Sequence, residues 1–135
     1  MNNNENSIQS DKIVTSPKIS VIIPTYNGER TIERAIESVL NQEGNHDIEI
    51  LVCDDWSTDK TCEKAMWLGA KIYLNIEHTG GPNAGRNKGI DIATGELIAF
   101  LDQDDEWLPW KLNAQIAEIG NGYELVGSAN ILKVE

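Results

Sequence analysis

Two carboxylates separated by a single residue, Asp102 and Asp104, follow the apolar run Leu97-Ile98-Ala99-Phe100-Leu101. Hard oxygen ligands fixed at a strand end suit Mg2+ or Mn2+, with diphosphate oxygens and water completing the shell. An ion held there is a Lewis acid for a departing phosphate-bearing group. The blander reading is an acidic loop that complements the N-terminus of a helix opened by Pro109, and the triplet Asp102-Gln103-Asp104 alone does not choose between them. Asp54 and Asp55 close a second apolar run, Ile50-Leu51-Val52-Cys53. Asp55 could accept a hydrogen bond from a base imide or a ribose hydroxyl, or both aspartates could simply form a turn. Pro24, Thr25 and Tyr26 end a third run, and the Tyr26 ring offers a face on which a base could stack. Arg86 or Lys88 could neutralise a phosphate or pair with Asp54. His46 and His78 have no carboxylate or serine partner recognisable in the sequence and read as surface residues. Cys53 and Cys62 lack the spacing and companions of a zinc site and read as small buried apolar residues.

The elements that must position these groups are legible as alternating patterns. Ile19, Val21, Ile22 and Ile23, stopped by Pro24, predict a buried strand. From Gly28 the apolar residues Ile32, Ala35, Ile36, Val39 and Leu40 recur at helical spacing, with Asn27 as a suitable N-cap. A strand over Asp47 to Cys53 leads into a polar loop, in which Asp59 could cap a short helix with Cys62, Ala65 and Met66 on its inner face. Ala70 to Asn75 predicts a third strand. A Gly80-Gly81-Pro82 turn precedes a helix from about Asn83 to Thr94, where Gly85 and Gly89 leave room for a neighbouring backbone. Leu97 to Leu101 is the fourth strand, Pro109 opens a helix carrying Leu112, Ile116 and Ile119, and Tyr123 to Ser128 predicts a fifth strand.

This alternation predicts an α/β fold, a mostly parallel sheet with helices on both faces, joined by right-handed crossovers. Ligands of such sheets sit outside the carboxyl ends of the strands, so the polar strand ends at Thr25-Tyr26-Asn27, Asp54-Asp55 and Asp102-Asp104 should converge on one site. Residues 1–17 are rich in Asn, Ser and charge and predict a flexible tail, with a single domain over residues 18–135. The formal net charge of −11 argues against nucleic acid as a partner. No apolar run approaches the ~20 residues of a membrane span, and the N-terminus lacks the basic and apolar stretches of a secretory signal. The expected location is therefore cytoplasmic, with peripheral membrane association left open.

Taken together, Ile19-Ser20-Val21-Ile22-Ile23-Pro24-Thr25-Tyr26-Asn27, Asp54-Asp55-Trp56-Ser57-Thr58-Asp59-Lys60-Thr61, Gly81-Pro82-Asn83-Ala84-Gly85-Arg86-Asn87-Lys88-Gly89 and Leu101-Asp102-Gln103-Asp104-Asp105 resemble family 2 glycosyltransferases in order and spacing. Trp107-Leu108-Pro109 followed by Lys111-Leu112 extends the resemblance. It implies a Rossmann-like α/β/α sandwich of the nucleotide-diphospho-sugar transferase (GT-A) type. It further implies transfer of a sugar from a UDP-like donor, with inversion and with help from Mg2+ or Mn2+, to a saccharide, lipid-linked or protein acceptor in cell-wall or polysaccharide biosynthesis. By the same resemblance, Pro24, Thr25, Tyr26, Asp54, Asp55, Arg86 and Asp102 belong to the nucleotide site, Asp104 ligates the metal, and Asp102 supports it. The family's general base belongs to an acceptor-binding half that nothing in this chain matches, so the chain corresponds to the donor-binding half. The alternative is a non-catalytic nucleotide-sugar-binding or interaction domain that keeps the fold without the base. Trp56 stands where the family usually has a small residue, often Gly, which points to a reshaped turn or a narrowed nucleoside pocket. A phosphoacceptor receiver domain fits less well, because its acidic pair after strand one is replaced here by Pro24-Thr25-Tyr26.

Overall fold

A computed structural model describes residues 17–120, and the predicted tail, save Pro17, and the predicted fifth strand at Tyr123 to Ser128 lie outside them. The elements in chain order are β1 (Lys18–Thr25), α1 (Ile32–Leu40), β2 (Asp47–Asp54), α2 (Thr61–Trp67), β3 (Lys71–Leu74), α3 (Asn83–Ile92), β4 (Leu97–Phe100) and α4 (Lys111–Gly120). The four strands form one sheet in the order β3-β2-β1-β4, and every pairing is parallel.

The near-continuous apolar character of β1 follows from burial on both faces. Successive side chains alternate, so Ile19, Val21 and Ile23 join Ile50 and Val52 in one core, with Ile32, Ala35, Ile36 and Val39 of α1, Ala65 of α2 and Leu112 of α4. Ile22 points the other way with Leu51 and Cys53, beneath α3. The glycines of α3 are required by this approach: a Cβ on Gly85 would lie 3.0 Å from Pro24 Cβ, and one on Gly89 2.4 Å from Ile22 Cγ2.

Local details depart from the sequence reading in two helices. α1 begins at Ile32 behind Thr31, not at Gly28 behind Asn27, because Asn27 sits at φ +45° and spends its side chain on the Thr58 N–H at 2.8 Å. Leu40, at the end of the same helix, faces solvent. In α2 the buried residues are Thr61 and Ala65, whereas Met66 is 61% exposed. Asp59 is not the N-cap of this helix, a position that Lys60 holds without a side-chain cap bond; it lies one residue earlier and accepts from the Thr61 N–H at 2.9 Å.

At the end of the sheet remote from the three polar strand ends, Glu49 is buried in a polar knot. Its carboxylate accepts from Ser20 Oγ at 2.5 Å and the Thr94 N–H at 2.8 Å, and lies 3.1 Å from Lys71 Nζ and 3.7 Å from Lys18 Nζ. Burial alone would raise its pKa, but the hydrogen bonds from Ser20, Thr94 and Lys71 outweigh it and hold the group at about 2, below its ordinary 4.5. A carboxyl depressed on folding stabilises fully above its unfolded pKa and loses that contribution as pH falls toward the folded value. Urea midpoints should therefore hold steady from pH 7 to about 5 and drop steeply between pH 4.5 and 2; in Glu49→Gln the drop should be shallower from a lower starting midpoint.

Candidate functional site

All strands point the same way, and β1 lies between β2 and β4, the place where the strand order reverses. Loops leaving β1 and β4 diverge at such a point and leave a crevice beyond the carboxyl ends. A cleft of about 460 Å³ occupies that position. Its walls come from Pro24, Thr25 and Tyr26 at the end of β1, Cys53 and Asp55 at the end of β2, and Asn75, His78 and Gly80 to Pro82 between β3 and α3. Gly85 and Arg86 of α3 and Asp102, Gln103 and Asp104 after β4 complete it. The three polar strand ends converge, each through part of its residues: Thr25 and Tyr26, Asp55, and Asp102 with Asp104 line the cleft, whereas Asn27 and Asp54 do not.

The two adjacent aspartates at the end of β2 have different jobs. Asp54 is 1% exposed and is not part of the cleft wall. It accepts from Thr25 Oγ1 at 2.8 Å, Ser57 Oγ at 2.6 Å and the Ser57 N–H at 2.8 Å, so it ties the end of β1 to the loop after β2. In place of the direct approach to a nucleotide expected of it, what Asp54 makes here is this clamp, outside the cleft wall. Asp55 does face the cleft, but its oxygens hold the next loop in place. One accepts from Asn75 Nδ2 at 2.8 Å, the Thr79 N–H at 2.9 Å and Thr79 Oγ1 at 3.0 Å, and the other from the Gly80 N–H at 2.9 Å. Burial would raise this carboxyl too, yet the bonds from Asn75, Thr79 and Gly80 bring it down to about 2.

His78 is exposed, as the sequence reading has it, but it is not without a partner. Its Nδ1 lies 3.0 Å from Asp55 Oδ2 and 2.9 Å from Asp55 O, and its ring packs on Tyr26 at 4.9 Å between centroids, tilted by 41°. No sequence signal links residues 78 and 55, because the contact depends on how the β3–α3 loop folds back. His46 lies outside the cleft wall and shares its Nε2 between Glu43 O and Asn113 Oδ1, each at 2.9 Å.

Arg86 reaches Asp102 rather than Asp54, with Nη2 2.9 Å from Oδ1. It thereby joins α3 to the acidic loop, and Lys88 is not part of the cleft wall. Gln103, the residue that sequence reasoning passed over, clasps the Tyr26 backbone: Nε2 donates to Tyr26 O at 3.0 Å and Oε1 accepts from Tyr26 N–H at 2.9 Å. Trp56 does not narrow the cleft. It occupies a left-handed backbone position at φ +71°, which explains why a glycine would suit the turn, and its indole N–H donates to Asn75 O at 3.0 Å.

Among the described residues no group of three or more His, Cys, Asp or Glu side chains could enclose a metal. Asp102 and Asp104 are exposed in the cleft wall as a pair. Two carboxylates suit Mg2+ or Mn2+, which retain waters and share substrate phosphate oxygens instead of requiring an all-protein cage. Cys53 reaches the cleft, but burial pushes its thiol up to about 11 despite the nearby Lys88, and Cys62 is pushed to about 12 by burial and by Asp54. Neither is a thiolate nucleophile at neutral pH.

Known proteins are similar to this chain in both sequence and architecture. The family model described as glycosyl transferase family 2 matches residues 20–132. A Campylobacter jejuni protein named GalNAc(5)-diNAcBac-PP-undecaprenol beta-1,3-glucosyltransferase is 41% identical over 112 residues, covering 79% of this chain and 36% of its own length. An Escherichia coli protein, UDP-Glc:alpha-D-GlcNAc-diphosphoundecaprenol beta-1,3-glucosyltransferase WfgD, is 38% identical over 84% of this chain and 49% of its own. The structure of S. aureus TarS in complex with UDP-GlcNAc superposes with a TM-score of 0.68 at 32% identity, over 82% of this chain and 37% of that one. The chain thus spans less than half the length of each of these relatives. By the breadth of the family match and by the sheet that carries its cleft at the carboxyl ends, the chain belongs to glycosyl transferase family 2.

Proposed function

We propose that this chain is the donor-binding part of a glycosyltransferase, taking a UDP-sugar together with Mg2+ or Mn2+. The observation that carries the reading is the convergence of Tyr26, Asp55 and Arg86 with Asp102 and Asp104 on one cleft. The Tyr26 ring takes the base, and Asp55 shapes the nucleoside wall through the loop it holds. Arg86 keeps a cation beside the acidic pair, where a diphosphate would lie. A divalent ion held by Asp104 and Asp102 would offset the charge on the departing nucleoside diphosphate.

Transfer with inversion is a single displacement: the acceptor oxygen bonds to the anomeric carbon as the bond from that carbon to the diphosphate oxygen breaks. The acceptor proton passes to an Asp or Glu base, which the resemblance assigns to the acceptor-binding half. Two relatives whose names specify a diphosphoundecaprenol-linked acceptor favour a lipid-linked saccharide here as well. Such an acceptor fits action at the cytoplasmic membrane surface by peripheral association; among the described residues no helix is long and apolar enough to cross a membrane.

Calorimetric titration of UDP with Mn2+ tests the donor site. Binding should weaken on adding EDTA, and Asp104→Ala should bind UDP equally with and without metal. Absence of wild-type binding at millimolar UDP would overturn the reading in favour of a domain that keeps the fold alone.

A further inference from the structure

We propose that Gln103 is a positioning residue for the donor: its side-chain amide locks the Tyr26 backbone to the acidic loop, so that the base wall and the carboxylate pair of the cleft are held as one body. The proposal rests on the donor-site reading above. Both ends of the amide are used on one residue, Nε2 on Tyr26 O at 3.0 Å and Oε1 on the Tyr26 N–H at 2.9 Å. This pairing fixes the amide orientation, since the flipped amide would set donor against donor and acceptor against acceptor.

The seat is made for this side chain. A Cβ on Gly28 would lie 2.4 Å from Gln103 Oε1 and 2.6 Å from Gln103 Cδ, so any larger residue at position 28 would displace the amide. The clasp joins the segment after β4 to the segment after β1, the two that diverge where the strand order reverses. On the other side the acidic loop is anchored by Arg86 on Asp102 at 2.9 Å and closed by the Asp105 N–H on Asp102 O at 3.1 Å. Tethered at both neighbouring positions, the Asp104 backbone keeps a set distance from the Tyr26 ring, the spacing that a nucleoside diphosphate bound at both ends requires.

A methionine at position 103 is a discriminating probe, because it keeps the unbranched reach of glutamine and removes both the donor and the acceptor. In UDP titrations with Mn2+ on the full chain, Gln103→Met and Gln103→Leu should each bind about tenfold more weakly than wild type. Uridine, which engages the base wall alone, should bind both variants like wild type, since what is lost is the spacing between the two ends of the cleft. The Tyr26 amide, which donates to Gln103 Oε1, should exchange its hydrogen faster in Gln103→Met than in wild type. Wild-type UDP affinity in both variants, or an equal loss for uridine and UDP, would overturn the positioning role. Unchanged exchange at Tyr26 would overturn the clasp itself, whereas absence of wild-type UDP binding beside faster exchange in the variant would strike the donor reading instead.

Discussion

Gly89→Val is expected to lower the melting temperature by about 10–20 °C, corresponding to roughly 3 kcal/mol for a domain of this size. The first added carbon would lie 2.4, 2.8 and 2.9 Å from Ile22 Cγ2, Cγ1 and Cδ1. Ile22 has nowhere to go, being fully buried between α3 and the sheet, and its β-branch leaves few rotamers. Replacing a helix-interior glycine gains at most about 1 kcal/mol of propensity, less than the overpacking, so α3 must lift. Lifting α3 moves Arg86 away from Asp102, and UDP affinity should fall with stability. Gly81→Ala, where an added carbon meets nothing within 4 Å, should shift the melting temperature little and serves as the control. Equal effects of the two substitutions would contradict the packing described for α3.

Asp54→Ala is expected to cost about 3 kcal/mol in urea denaturation. Three donors, Thr25 Oγ1, Ser57 Oγ and the Ser57 N–H, lose their acceptor, and the aspartate is 1% exposed, so water reaches the vacated site poorly. Asp54→Asn should recover only part of the loss, because an amide can accept through one oxygen and its nitrogen would face a donor. Since the clamp joins the ends of β1 and β2, both variants should also weaken UDP binding. If Asp54→Ala left stability intact while abolishing UDP binding, Asp54 would be a nucleotide ligand after all.

β1 and β2 were legible because burial on both faces writes itself as runs of Ile, Val and Leu; β3 and β4, at the sheet edges, are partly exposed, and the parallel arrangement followed from the alternation of all four with helices. The cleft was legible as a consequence, since parallel strands deliver their carboxyl ends to one side. What escaped the sequence were pairings settled by loops. Asn27 has the chemistry of an N-cap, but a tertiary bond to Thr58 claimed its side chain and shifted the helix start to Ile32. Asp54 and Asp55 are chemically identical neighbours, and only the fold sends one under the cleft and the other into its wall. Gln103 looked like a spacer between two carboxylates, because an amide that binds a backbone remote in sequence leaves no local pattern. Glycine spacing on α3 was a better guide: both Gly85 and Gly89 meet the sheet where close approach was expected.

The Glu49 knot bears on how the chain finds its pairing. Ser20 and Glu49 are register partners on the α3 side of the sheet, and the Thr94 and Gly95 amides close over them from the turn before β4. A slip of β2 by one residue against β1 would turn every β2 side chain to the opposite face and drive this carboxylate among Ile19, Val21 and the α1 residues. An unpaired ionised group cannot be accommodated there, so the misregistered sheet is penalised once α1 covers that face. A stretch of interchangeable β-branched residues, which would otherwise tolerate sliding, thus acquires a single correct alignment from one acidic side chain.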